Sequence, residues 1–82
     1  MLTPRQIVES SFLEARHMLL EVAALLDRHD AAVARSTPAD GGLDDAATAE
    51  KLAVLREALA VLAAEQGGGA RTEELLRRFA RV

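Results

Sequence analysis

The sequence predicts an all-α protein, and three observations support that fold class. Apolar residues recur every three or four positions along most of the 82 residues, which is the period of a helix that buries one face. Residues typical of helix starts precede the periodic segments, and two glycine-containing segments interrupt them. We therefore predict a single helical domain over 1–82, with helices at about 4–34, 45–66 and 72–81. We expect the first two helices to form a long antiparallel hairpin, with the short third helix closing it.

The first helix has the clearest start signal in the chain. Thr3 and Gln6 match a capping box, and Pro4 occupies the first helical position, where a missing N–H costs nothing. One broad apolar face follows, and we expect it to lie in the core. It consists of Ile7, Val8, Ser11, Phe12, Ala15, Met18, Leu19, Val22, Leu25, Leu26 and His29.

A narrower apolar strip lies on the opposite side of the first helix. Leu13, Leu20 and Ala24 line up there with His17, at spacings of three, four and seven residues. One exposed leucine would carry no meaning, but two at heptad spacing away from the core favour a second partner.

A polar segment separates the first two helices. Pro38 cannot continue a helix, and Gly41 and Gly42 add conformational freedom. We therefore expect a flexible linker over 35–43, short enough to hold the flanking helices antiparallel.

The second helix also has two apolar faces. Asp44 and Asp45 precede it and favour its positive end. Its main stripe, which we expect in the core, consists of Thr48, Leu52, Leu55, Leu59, Leu62 and Ala63. A second strip, on another face, consists of Val54 and Val61, seven residues apart, with Ala47 and Ala58 beside them. The charged side chains, Glu50 and Glu57 among them, have the pattern of an ordinary solvated surface.

A short third helix follows the glycines at 67–69, which end the second helix. Thr72 is predicted to cap it, and the acidic first turn and basic last turn both match the helix dipole. Its inward-facing residues are predicted to be Leu75, Leu76, Phe79 and Val82.

The composition excludes several classes of function. The chain has no cysteine, so disulfides and thiolate metal sites are ruled out. A formal charge of −3 with two Phe, no Tyr and no Trp argues against nucleic-acid binding, which needs basic and stacking side chains. The N-terminus does not have a signal-peptide pattern, and no apolar run is long enough to span a membrane. We expect a soluble, cytoplasmic protein that binds neither nucleic acid nor membrane.

The first helix contains one candidate metal site. Glu14 and His17 have the Glu-x-x-His spacing, with Glu21 one turn further on, and in that spacing alone the helix resembles ferritin-like di-metal carboxylate bundles. The resemblance implies a metal site only if a homodimer supplies a second copy of the motif. The alternative is a surface histidine paired with Glu21, which we favour because these side chains lie outside the predicted core. We therefore predict no cofactor.

No motif in the chain identifies a reaction, so we predict an interaction or scaffold protein that acts as a homodimer and not an enzyme. The two far strips would meet their own copies about a two-fold axis and form a dimeric assembly resembling a four-helix bundle. The predicted interface residues are Leu13, Leu20, Val54 and Val61. One alternative is an accessory regulator that binds a helix of another protein. The other is the metal-binding bundle built from one Glu-x-x-His motif per subunit.

Overall fold

The protein consists of three α-helices in the part of the chain that the structure describes. A computed structural model describes residues 1–36, 45–64 and 70–82. The helices are α1 (Pro4–Arg35), α2 (Ala46–Ala63) and α3 (Arg71–Phe79). No strand occurs among the described residues, which confirms the predicted all-α class.

Helix α1 begins where the capping box predicts. The Gln6 backbone N–H donates to Thr3 Oγ1 at 3.1 Å, and the Thr3 N–H donates to Gln6 Oε1 at 2.9 Å. These two bonds satisfy donors that the first turn leaves without partners. The helix continues for 32 residues and ends at Arg35, one residue beyond the predicted end.

Helix α2 begins after Asp45, whose carboxylate accepts a hydrogen bond from the Thr48 N–H at 2.8 Å. This bond and the Thr48 side chain hold the pKa of Asp45 below its ordinary value. The helix ends at Ala63, three residues before the predicted end. The predicted linker glycines and Pro38 lie outside the described residues, as do the glycines at 67–69.

Helix α3 begins earlier than its predicted cap. Thr72 is the second residue of the helix, Ala70 occupies the N-cap position, and no side chain caps the first turn. The prediction that Thr72 caps this helix is therefore wrong. The Arg71 guanidinium instead donates to the Ala64 carbonyl at the end of α2. A local capping pattern cannot predict this bond because the two residues are seven positions apart.

The α2–α3 unit buries the apolar face that we predicted to be outside the core. Val54, Ala58 and Val61 are the buried apolar residues, and Val54 has no accessible surface. In the predicted main stripe, Leu52, Leu55 and Leu59 are half-buried and Leu62 is 44% exposed. The assignment of the two α2 faces is thus wrong. The valine face lies beside Glu50 and Glu57, the two residues of α2 that bind arginines of α3.

Two compact units divide the chain, Met1–Leu43 and Asp44–Val82. In the second unit α3 runs antiparallel to α2, because Arg71 contacts Ala64 at one end and Arg81 contacts Glu50 at the other. The single domain over 1–82 and the hairpin of the first two helices stay predictions.

Candidate protein-interaction site

Helix α1 presents a line of exposed apolar side chains, which we call the Leu13 strip. It consists of Leu13, His17, Leu20 and Ala24. Leu13 is 74% exposed and Leu20 is 55% exposed. Because α1 is a continuous helix, these residues lie on one face, and seven residues place the two leucines about 10 Å apart. Leu13 and Leu20 are exposed, as predicted, and their role as an interface stays a prediction.

The broad apolar face of α1 is more exposed than predicted. None of the residues from Pro4 to Arg35 is buried. Leu19, which we expected in the core, is 56% exposed, while Val22, Leu26 and His29 are half-buried. The placement of Leu19 in the core is therefore wrong. The helical period identifies which side chains share a face, but it does not tell how much of that face another segment covers.

Val54 and Val61, the other half of the predicted interface, are not available to a partner. Both are buried in the α2–α3 unit. They belong to α2, the helix that contacts α3 in the described part of the chain, and we did not expect this face of α2 to be covered. A partner could reach these two valines only if α3 were displaced.

Charged side chains flank the Leu13 strip. Glu14, Glu21 and Arg28 lie along one side of it, and Arg16 lies along the other. Glu14, Arg16, Asp27 and Arg28 are all exposed, and none of them makes an ion pair with a residue that the structure describes.

The candidate metal ligands lie on this helix surface. His17 Nε2 is 3.2 Å from Glu21 Oε1, the i,i+4 pairing expected for a surface histidine, and both side chains are about 70% exposed. Glu14 is one turn earlier. Within the described parts of the chain, no three His, Cys, Asp or Glu side chains come close enough together to hold a metal ion.

An ion-pair network joins α3 to α2, and we call it the Glu57 network. The Glu57 carboxylate accepts from Arg78 Nη1 at 2.7 Å and from Arg81 at 3.0 and 2.8 Å. Arg81 also donates to Glu50 Oε1 at 3.1 Å, and Arg78 donates to Glu74 Oε1 at 3.0 Å. The hydrogen bond from Arg81 holds the pKa of Glu57 below its ordinary value, and the same bond raises the pKa of Arg81.

The sequence reading missed this network. It treated Glu50 and Glu57 as solvated and assigned the arginines of α3 to the helix dipole. The partners are 21 to 31 residues apart, so no local pattern contains them. The one available signal is that Glu50 and Glu57 are seven residues apart, which places both carboxylates beside the valine face of α2.

Two further findings concern membrane-spanning helices and similarity to known proteins. No helix in the described residues is both long and apolar enough to cross a lipid bilayer. No protein-family model, curated protein or solved structure matches this chain.

Proposed function

We propose that this protein is a small helical interaction protein that acts as a homodimer, with the Leu13 strip of α1 forming the contact between the two copies. The observation that supports it is the exposure of Leu13 and Leu20 on one face of a regular helix. An isolated exposed leucine is ordinary, but two on one line form an apolar patch that association would remove from water.

The size of the apolar contribution sets the expected affinity. Burying four leucines, two from each copy, contributes about 6–12 kcal/mol when burial is complete. Association costs about 4–15 kcal/mol in lost freedom of motion. The two quantities are of the same order, so we expect a weak to moderate dimer whose strength depends on the charges beside the strip.

The competing proposal is an accessory regulator that uses the same strip to bind the helix of a different protein. The two proposals differ in one observable, the mass of the purified chain in solution. A chain that pairs with itself has twice the single-chain mass of 8.8 kDa.

Light scattering across a micromolar concentration series tests the homodimer. We expect the wild type to approach the dimer mass and the Leu13→Glu, Leu20→Glu double variant to remain a monomer. The matched control is Leu2→Glu with Leu76→Glu, because Leu2 and Leu76 are also exposed leucines but lie off the strip. The control should dimerise like the wild type. A wild type that stays at one chain mass would reject the homodimer and favour the regulator.

A further inference from the structure

We infer that the two copies of α1 pair antiparallel in a single register. In this register, the numbers of two residues that face each other, one from each copy, add up to about 44. This inference rests on the proposed homodimer and adds its geometry. It follows from the order of apolar and charged residues along the Leu13 strip and its flanks.

The apolar residues of the strip fit this register. Leu20 faces the partner's Ala24, and Leu13 faces the partner's Ala31, another exposed alanine on the same line. Each leucine therefore meets a small residue, which lets two helices approach closely without overpacking. The overlap runs from about residue 9 to residue 35, roughly 40 Å of helix at 1.5 Å per residue.

The charges fit the same register. In antiparallel pairs, the flanking positions on each side of the seam meet the equivalent positions of the partner. Glu14 then lies beside the partner's Arg28, and Arg16 lies beside the partner's Asp30. Within the seam, His17 faces the partner's Asp27. Two-fold symmetry makes each of these pairs twice. Glu14, Arg16, Asp27 and Arg28 make no ion pair with any described residue of their own chain, whereas His17 pairs with Glu21 and Asp30 lies 3.5 Å from His29.

Three other arrangements bring like charges together. A parallel dimer sets Asp27 opposite its own copy and His17 opposite its own copy. An antiparallel register with a sum lower by one heptad, seven residues, sets Glu14 beside the partner's Glu21. A register lower by two heptads sets Arg16 beside the partner's Arg16. A register with a sum higher by one heptad leaves Leu13 without a partner on the described helix.

The favoured register contains one like-charge contact, between Glu21 and the partner's Glu21. His17 Nε2 lies 3.2 Å from Glu21 Oε1 in each copy, so an imidazole lies beside each of the two carboxylates. Among the antiparallel registers that leave Leu13 a partner on the described helix, the one with a sum of 44 therefore has the best balance of opposite and like charges.

Cysteine cross-linking tests the arrangement, and the chain has no cysteine of its own to interfere. Leu13→Cys and Ala31→Cys proteins are mixed and oxidised at a concentration where light scattering finds the dimer. We expect the mixture to form a disulfide between the two variants. Neither variant alone should link to itself, because residues 13 and 31 are about 27 Å apart along the helix. Self-linked Leu13→Cys would overturn the antiparallel pairing, and a mixture with no link would overturn the register. Both results would leave the homodimer standing, whereas a monomeric wild type would reject both proposals.

Charge reversal tests the register a second way, without changing the leucines. Glu14→Arg should weaken the dimer about tenfold, since two attractive exposed pairs become repulsive. Adding Arg28→Glu to the same chain should restore most of the lost affinity. The matched control is Arg5→Glu, also a charge reversal of an exposed residue on the same helix but outside the overlap of about residues 9 to 35, and it should change the affinity less than threefold. Failure of Arg28→Glu to rescue Glu14→Arg would overturn the Glu14 contact and the register with it.

Discussion

Helix α1 and the α2–α3 unit are stabilised in different ways. Helix α1 is the longest element, 32 residues, yet none of its side chains is buried. Its side-chain interactions are largely local: Arg5 bonds to Glu9 and His17 pairs with Glu21, each one turn along the same helix. In the α2–α3 unit, side chains are buried around Val54, and the ion pairs between its two helices join residues 21 to 31 positions apart.

This difference shows what a repeated pattern does and does not determine. The helical period and a capping box are enough to form a helix, because both act within a few residues. Burial of an apolar face also requires a second segment that covers it, and the helical period does not identify that segment. The longer helix is therefore the more exposed one, and the proposed dimer contact lies on it.

Truncation of a side chain should show the largest difference between the two regions. Val54→Ala removes methyl groups from a fully buried site, so we expect it to lower the free energy of unfolding of the α2–α3 unit by about 2 kcal/mol. Leu19→Ala on α1 removes more atoms but from a half-exposed site, and should change stability by less than about 0.5 kcal/mol.

Hydrogen exchange measured on peptides from each region can follow the two variants separately. Faster amide exchange in α2 and α3 of Val54→Ala, with α1 unchanged, is the expected pattern. An equal or larger loss in Leu19→Ala would mean that the broad face of α1 is covered in solution.

Removal of the α1 cap should have a smaller effect. Thr3→Ala deletes the hydroxyl that accepts from the Gln6 N–H, which costs about 1 kcal/mol of helix stability. Because α1 has no buried side chain to hold its first turns, we expect the loss to appear as faster exchange of the amides near Gln6. Thr3→Ser keeps the hydroxyl and is the control, so an equal loss in both variants would argue against the cap.

Local features of the fold could therefore be predicted from the sequence. Thr3, Gln6 and Asp45 are caps whose partners lie three residues away, and all three were recognised. That Leu13 and Leu20 share one face also followed from the period. These predictions succeeded because each depends on spacing within one helix.

Features that depend on distant residues could not be predicted. The two faces of α2 are both apolar and both regular. The helical period does not distinguish them, and the leucine face was predicted to be the core only because its side chains are larger. The structure buries Val54 and Val61 instead, beside the carboxylates that meet Arg78 and Arg81. Charge pairing between α2 and α3 distinguishes the two faces, and a search for local patterns does not detect it.

The Glu57 network should produce the smallest effect, visible as a dependence on pH. The pKa of Glu57 is lowered in the folded chain, so its contribution to stability is fully present above the unfolded pKa of about 4.3 and is lost as pH falls through the folded pKa. We expect the α2–α3 unit to lose helix in acid. Glu57→Gln removes this titration, so its stability at neutral pH should start lower and its acid transition should be shallower. Helix content followed by circular dichroism from pH 7 to pH 2 measures both.

A matched substitution on α1 tests whether the Glu57 network contributes more to stability than an ordinary exposed ion pair. Glu9 also accepts from an arginine, Arg5 at 3.0 Å, but both side chains are exposed and belong to the same helix. Pairs of that kind contribute little, so Glu9→Gln should leave the acid transition as it is in the wild type. Asp45 keeps a residual acid response in both variants, since its lowered pKa acts in the same direction. An acid transition altered equally by Glu9→Gln and Glu57→Gln would mean that the contact between α2 and α3 adds nothing to a single exposed pair.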